Sequence, residues 1–287
     1  MNTLLIDNLS LTYRNGTKAL NNISIEIKNG IFGLLGPNGA GKSSLMKTIV
    51  GLQPPSSGSI LFNEKDIVQA PDFIKKHLGF LPQDFGVYPK VSAYNLLQHL
   101  AVLKDVNGKQ ERKKQILSLL EKVNLYQVKD KEVHTFSGGM KQRFGIAQAL
   151  LGSPKIIIVD EPTAGLDPEE RNRFNTLLSH LSEDIIVILS THLVEDVRNL
   201  CSRMSIIHNG ELLSQGNPGN LISALKGKLW TKPLAKHETQ TDETSFKLIS
   251  RQLVERVMHI TVYAEEQPMG FEATSPTLEH VYFNTIN

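Results

Sequence analysis

The sequence predicts an α/β protein with a mixed-sheet core, an antiparallel β subdomain, an inserted helical lobe and a small C-terminal α+β appendage. Three observations carry that prediction. Apolar residues alternate near the start, β-branched runs are each followed by helix-forming sequence, and a glycine-rich loop joins one such run to a helix. At 287 residues, and about 150 per domain, one large body with an appendage is expected, divided into 1–220 and 221–287.

From Thr3 to Tyr13 and from Asn22 to Lys28 apolar and polar side chains alternate, with Ile23, Ile25 and Ile27 facing one way and Ser24, Glu26 and Lys28 the other. Both segments read as half-buried antiparallel strands. Asn29-Gly30 supplies a positive-φ turn, and Ile31 to Leu35 is a short apolar run ending in glycine, the pattern of a buried strand. Lys155 to Val159 and Ile185 to Leu189 are runs of the same kind, so a parallel sheet with crossover helices is expected. Residues 92–151 carry three helical patterns and no strand pattern, which reads as a lobe inserted beside the sheet. Arg203 to His208, Asn209-Gly210 and Glu211 to Ser214 predict a hairpin with a type I′ turn, closing the body near residue 220. Beyond it the composition shifts toward Thr, Lys and Glu, with one strand-like piece at His259 to Tyr263 and no low-complexity run.

Hydrophobic residues at 40% and charged residues at 21% suffice for a sizeable core. Lys and Arg number 31 against 29 Asp and Glu, a net charge of +2, so charge alone argues for neither nucleic acid nor an anionic membrane surface. The Lys-rich stretch Lys104 to Lys131 is interleaved with Asp105, Glu111, Glu121 and Asp130 and reads as solvated helix faces. The single cysteine, Cys201, has no Cys or His at metal-ligand spacing and fits a reducing cytosol. Met1 to Ser10 carries Asp7 and no Lys or Arg, unlike a secretory signal. Apolar runs such as Ile156 to Val159 fall far short of the roughly 20 residues that span a bilayer. Work at a membrane would need a separate spanning partner.

Gly36-Pro37-Asn38-Gly39-Ala40-Gly41-Lys42-Ser43 matches the phosphate-loop pattern G-x-x-x-x-G-K-[ST], between a buried strand and the helical stretch Lys42 to Val50. Glycines let successive N–H groups turn inward on an anion, and the helix that follows points its positive end at the same place. Lys42 adds a cation for β- and γ-phosphates, Ser43 a hydroxyl for Mg²⁺, and Ser44 a reach to the α-phosphate. A phosphate loop needs a carboxylate at the end of a neighbouring strand. Asp160 ends such a run and is the expected Mg²⁺ holder, with Glu161 beside it as general base. No Asn-Lys-x-Asp element for guanine is present, which disfavours a GTPase. Phe136-Ser137-Gly138-Gly139-Met140 opens another helix with Ser137 as N-cap and a buried stripe of Met140, Phe144, Ala147 and Leu151. Two glycines in a first turn cost about 1 kcal/mol each against alanine, which makes sense where bare N–H groups receive a phosphate.

With these residues in this order, the sequence over roughly 1–220 resembles the ATP-binding subunits of ABC transporters. The resemblance assigns Gln83, in Leu81-Pro82-Gln83-Asp84, to the Q-loop that contacts Mg²⁺ and water and couples to the membrane partner. It assigns Ala164-Gly165-Leu166-Asp167 to the D-loop, His192 to the switch histidine near the γ-phosphate, and Tyr13 to the aromatic that stacks on adenine. It implies two ATP molecules sandwiched in a head-to-tail homodimer or heterodimer, the Ser137-Gly138-Gly139 signature of one subunit closing over ATP held by the other. Phe136 and Met140 depart from the family's most familiar Leu and Gln. Ser275 to Phe283 resembles the closing helix of ATPases serving ABC-2-type exporters, with His280 where an acidic residue often stands. The implied role is an ATPase bound to an integral permease on the cytoplasmic face of the membrane, with no nucleic-acid partner. The alternative, a soluble ABC-type ATPase acting on nucleic acid or ribosomes, remains open here; a single nucleotide domain without a coiled-coil insertion counts against it.

Overall fold

The computed structural model describes residues 1–83, 85–234 and 246–287; Asp84, quoted above, and part of the 221–287 region lie outside the described residues. The two opening strands, Thr3–Thr12 and Lys18–Lys28, pair antiparallel, and Ser57–Phe62 pairs with the first of them on its other side. Ile23, Ile25 and Ile27 are buried and their neighbours exposed, as the alternation requires. Gly30 (φ 116°) turns the chain out of this sheet and into the next without an intervening loop.

The second sheet runs in the order Glu211–Gly216, Arg203–His208, Gly30–Leu35, Ile186–Thr191, Ile156–Asp160, Leu78–Leu81. All neighbours are parallel except the terminal hairpin, so the sheet is mixed. Ile156–Asp160 and Ile186–Thr191 are buried along their whole length, the mark of strands covered on both faces. The register sets Leu35 beside Thr191 and Asp160 beside Ser190, so the carboxyl ends of three central strands meet at one edge. Ligands bind at that edge in open α/β sheets.

Helices Ala93–Leu103, Lys109–Lys122 and Gly138–Leu150 make the inserted lobe, and Phe144, Ala147 and Leu151 pack into the main apolar cluster with Met140 half-buried. Within 51–91, for which the sequence patterns gave no element, lie the strands Ser57–Phe62 and Leu78–Leu81 and the helix Pro71–His77. Cys201 is buried; burial, reinforced by Asp196, pushes its thiol far above the usual range, and its Sγ packs where a Cβ on Gly33 would intrude. Residues from Leu229 onward form a third, antiparallel sheet in the order Lys247–Val254, Val257–Tyr263, Leu229–Leu234, Glu272–Ala273. The final helix, Leu278–Ile286, buries Leu278, Val281 and Tyr282 in the main cluster, against the helix Val194–Leu200 among others. No helix among the described residues is long and apolar enough to cross a membrane.

Candidate nucleotide site

The phosphate loop leaves strand Gly30–Leu35 and enters helix Lys42–Ile49. Close backbone packing fixes it: a Cβ on Gly41 (φ 111°) would stand 2.7 Å from the Ala19 carbonyl, and one on Gly36 would collide with the Ile207 carbonyl. Lys42 is buried, with Nζ donating to the carbonyls of Gly36 (2.7 Å) and Pro37 (3.1 Å) and standing 3.6 Å from Glu161 Oε1. Burial lowers its pKa, and the Glu161 and Asp160 carboxylates partly offset that by favouring the charged form. The ammonium is thus caged beside its own loop, with few competing water contacts.

Ser43 donates its hydroxyl to Asp160 Oδ2 at 3.1 Å, across the gap between helix start and strand end. The other oxygen of Asp160 is buried and has no hydrogen-bond partner. Glu161 sits one residue beyond the strand at φ 48°, a left-handed conformation that a non-glycine residue holds only where its surroundings enforce it. His192 Nδ1 lies 3.2 Å from Glu161 Oε1, so the acidic residue bridges the lysine and the histidine. A cavity of about 500 Å³ opens beside this cluster, lined by Tyr13, Thr17 to Ala19, the loop residues Asn38 to Ser44, and Asn209-Gly210. That size suits a nucleotide-like ligand. Tyr13 Oη is 3.0 Å from Ser44 Oγ, which ties the aromatic ring to the phosphate loop.

The structure therefore brings together Tyr13, Gly36 to Ser44, Asp160, Glu161 and His192. Gln83, Ser137, Gly138, Gly139 and Asp167 stand apart from that cluster and do not line the cavity. Gln83 is exposed just beyond strand Leu78–Leu81. Ser137 caps helix Gly138–Leu150 by accepting from Met140 N–H, and it is exposed together with Gly138, where a Cβ would meet nothing within 4 Å. Gly139 is buried instead, its Cα against the Glu170 side chain, which is in turn held by Arg143 at 3.3 Å. Asp167 caps helix Pro168–Leu181 by accepting from Glu170 N–H at 2.8 Å.

The sequence reading missed the contribution of Asn209-Gly210, which it took as a turn alone. Gly210 N–H donates to the Ala40 carbonyl at 2.9 Å and Asn21 N–H donates to the Gly210 carbonyl at 2.8 Å, stapling the hairpin tip to the phosphate loop and the β subdomain. The glycine was the available signal: its Cβ would stand 2.8 Å from the Ala19 carbonyl, so no larger residue fits.

A phosphate loop, a strand-end carboxylate pair and a histidine facing one of them define a P-loop nucleoside-triphosphate hydrolase. The family model described as ABC transporter matches residues 20–164. The chain is 37% identical over 226 residues to the linearmycin resistance ATP-binding protein LnrL of Bacillus subtilis, covering 78% of this chain and 72% of that protein. It is 31% identical over 226 residues to the lipopolysaccharide export system ATP-binding protein LptB of Escherichia coli, covering 77% of this chain and 93% of the relative. It spans about a quarter of the length of longer relatives such as ABC transporter A family member 5 of Arabidopsis thaliana (25%). Among solved structures it resembles cbiO1 of Clostridium perfringens, part of the ABC transporter complex cbiONQ, with TM-score 0.71 and 32% identity over 77% of this chain and 90% of that one. The chain belongs to the ABC transporter family as an ATP-binding protein with the ABC ATPase fold, and it is an ATPase.

Proposed function

We propose that this subunit powers an ABC-2-type exporter by ATP-driven pairing of two ATPase subunits beneath a separate membrane permease. One observation carries the pairing: the capped Ser137-Gly138 turn is exposed and contributes nothing to the lining of the nucleotide cavity. A triphosphate seated on Gly36 to Ser44 leaves its far side to donors from a second subunit, where a helix N-terminus is chemically suited. A dimeric bacterial ABC transporter cassette, 27% identical with TM-score 0.68, gives a precedent for such a pair.

In this reading Tyr13 stacks on adenine, the phosphate-loop N–H groups and Lys42 hold the β- and γ-phosphates, and Glu161 accepts the proton of the attacking water. His192 holds the Glu161 carboxylate in place and contacts the γ-phosphate. Gln83 couples the site to the permease, and Asp167 faces the partner subunit. The orphaned Asp160 oxygen beside the Ser43 hydroxyl is an all-oxygen donor set that fits Mg²⁺, with Gln83 as a further ligand. The ion when bound supplies charge neutralisation to the phosphates.

Export is favoured by the names of LnrL and LptB, a resistance and an export protein. It is also favoured by the resemblance of Ser275 to Phe283 to the closing helix of ATPases that serve ABC-2-type exporters; His280 departs from that pattern and forms a capping box with Thr277. Residues 221–287 are proposed as an accessory region, and location on the cytoplasmic face follows from docking to the permease. The test is affinity purification of the tagged chain from detergent-solubilised membranes. A co-purifying multi-helix integral protein is expected; recovery with ribosomes or nucleic acid instead would overturn the transport reading.

A further inference from the structure

Asp196 lies on helix Val194–Leu200, four residues after His192, and is fully buried at 0% exposure. Its Oδ2 accepts hydrogen bonds from Thr163 Oγ1 at 2.5 Å and from Thr191 Oγ1 at 3.3 Å. Thr191 Oγ1 itself accepts from Leu193 N–H at 2.9 Å, which leaves its single proton for Asp196. Oδ1 of Asp196 is buried without a hydrogen-bond partner and stands 4.0 Å from Arg171 Nε. Both threonines are 1% exposed, so the cluster is closed to water.

An anionic side chain in such a place is costly to keep unless its contacts serve a purpose. Each partner of Asp196 belongs to a segment carrying a proposed site residue. Thr163 follows Glu161 by two positions, Thr191 immediately precedes His192, and Arg171 lies on the helix that Asp167 caps. Glu161, held at φ 48°, needs an external constraint of this kind. We propose that Asp196 is a positioning residue for hydrolysis: through Thr163 and Thr191 it locks the Glu161 segment to the His192 segment while touching no nucleotide. The inference rests on the roles proposed above for Glu161 and His192. Its leverage comes from the steep dependence of rate on placement, since a misplacement of about 1 Å costs about a hundredfold.

The experiment measures ATP turnover and nucleotide affinity of the full-length chain. Asp196→Ala and Thr163→Val are expected to lower kcat by about ten- to a hundredfold with KM for ATP within about twofold of wild type. Asp196→Asn, whose amide oxygen can still accept both hydroxyls, and Thr163→Ser are expected to keep most of the rate. The Asp196→Ala/Thr163→Val double variant should be no slower than the slower single variant, because both cut one link. Should Asp196→Ala fail to fold, Thr163→Val, near-isosteric and uncharged, carries the same test. Unchanged kcat in Thr163→Val, raised KM with kcat intact, or additive losses in the double variant overturn the proposal. Glu161→Gln is run in parallel. Normal turnover there removes the reading of Glu161 itself, whereas an inactive Glu161→Gln beside fully active Asp196→Ala and Thr163→Val removes only the role of Asp196.

Discussion

Replacing Glu161 by Gln preserves side-chain volume and removes one negative charge from the cluster in which Oε1 lies 3.6 Å from Lys42 Nζ and 3.2 Å from His192 Nδ1. The amide oxygen can still accept from either neighbour, so the local geometry persists and the proton-accepting capacity alone is lost. General-base action is worth about 10²–10⁴ in rate, which at 1.36 kcal/mol per tenfold is about 2.7–5.4 kcal/mol of barrier. Binding should not suffer. Removing a buried carboxylate beside the proposed phosphate position relieves repulsion of the triphosphate, so affinity stays equal or tightens. Phosphate release under saturating ATP reads the first quantity, and equilibrium titration with a fluorescent ATP analogue reads the second. A variant that hydrolyses ATP within about tenfold of wild type would show that the water is activated elsewhere and refute the assignment.

Lys42→Ala withdraws the cation between the Gly36 and Pro37 carbonyls and Glu161, and is expected to weaken ATP binding at least about tenfold, or 1.4 kcal/mol; unchanged affinity in the same titration would sink the phosphate-loop assignment. Leu278→Ala empties a site that is 1% exposed beneath the last helix, so a loss of about 2–5 kcal/mol is expected in urea unfolding, and a loss below about 1 kcal/mol would mean that helix is loosely docked. His280 Nδ1 accepts from Thr277 N–H in the capping box, and burial lowers its pKa from the ordinary 6.5 despite the nearby Glu279. Because the folded state holds the proton less tightly than the unfolded one, the full contribution is present above pH 6.5 and is lost as pH falls toward the lower folded pKa. His280→Gln, which can close the same box without titrating, should flatten the melting temperature relative to wild type below that pH; identical profiles would rule the titration out.

The repeating patterns were legible wherever one physical constraint dominated. Ile23, Ile25 and Ile27 announce their sheet because water lies on one side of it only, and the β-branched runs ending at Asp160 and Thr191 announce theirs because both faces are covered. Leu78–Leu81 escaped detection because it is four residues long and contains Gly79, which is small because a Cβ there would collide with the Ala149 carbonyl. Ser57–Phe62 escaped for a related reason: Gly58 (φ 88°) lies against the Asn8 backbone, and only Ile60 and Phe62 are buried. In the site, motif spacing picked out Lys42, Ser43, Asp160 and Glu161, and the family resemblance added His192; their mutual distances follow from adjacent strand ends. Asp196 and Asn209-Gly210 carry no such spacing. Their positions depend on how distant segments close on one another, which only the tertiary structure expresses.

The hairpin tip at Asn209-Gly210 makes the nucleotide pocket a late product of synthesis. The glycine-rich loop motif is complete by Ser44, yet one wall of the cavity is translated only when the ribosome reaches Gly210, and the strand that steadies this wall ends at Gly216. A fragment cut before that point keeps every residue of the glycine-rich motif and still lacks an intact pocket.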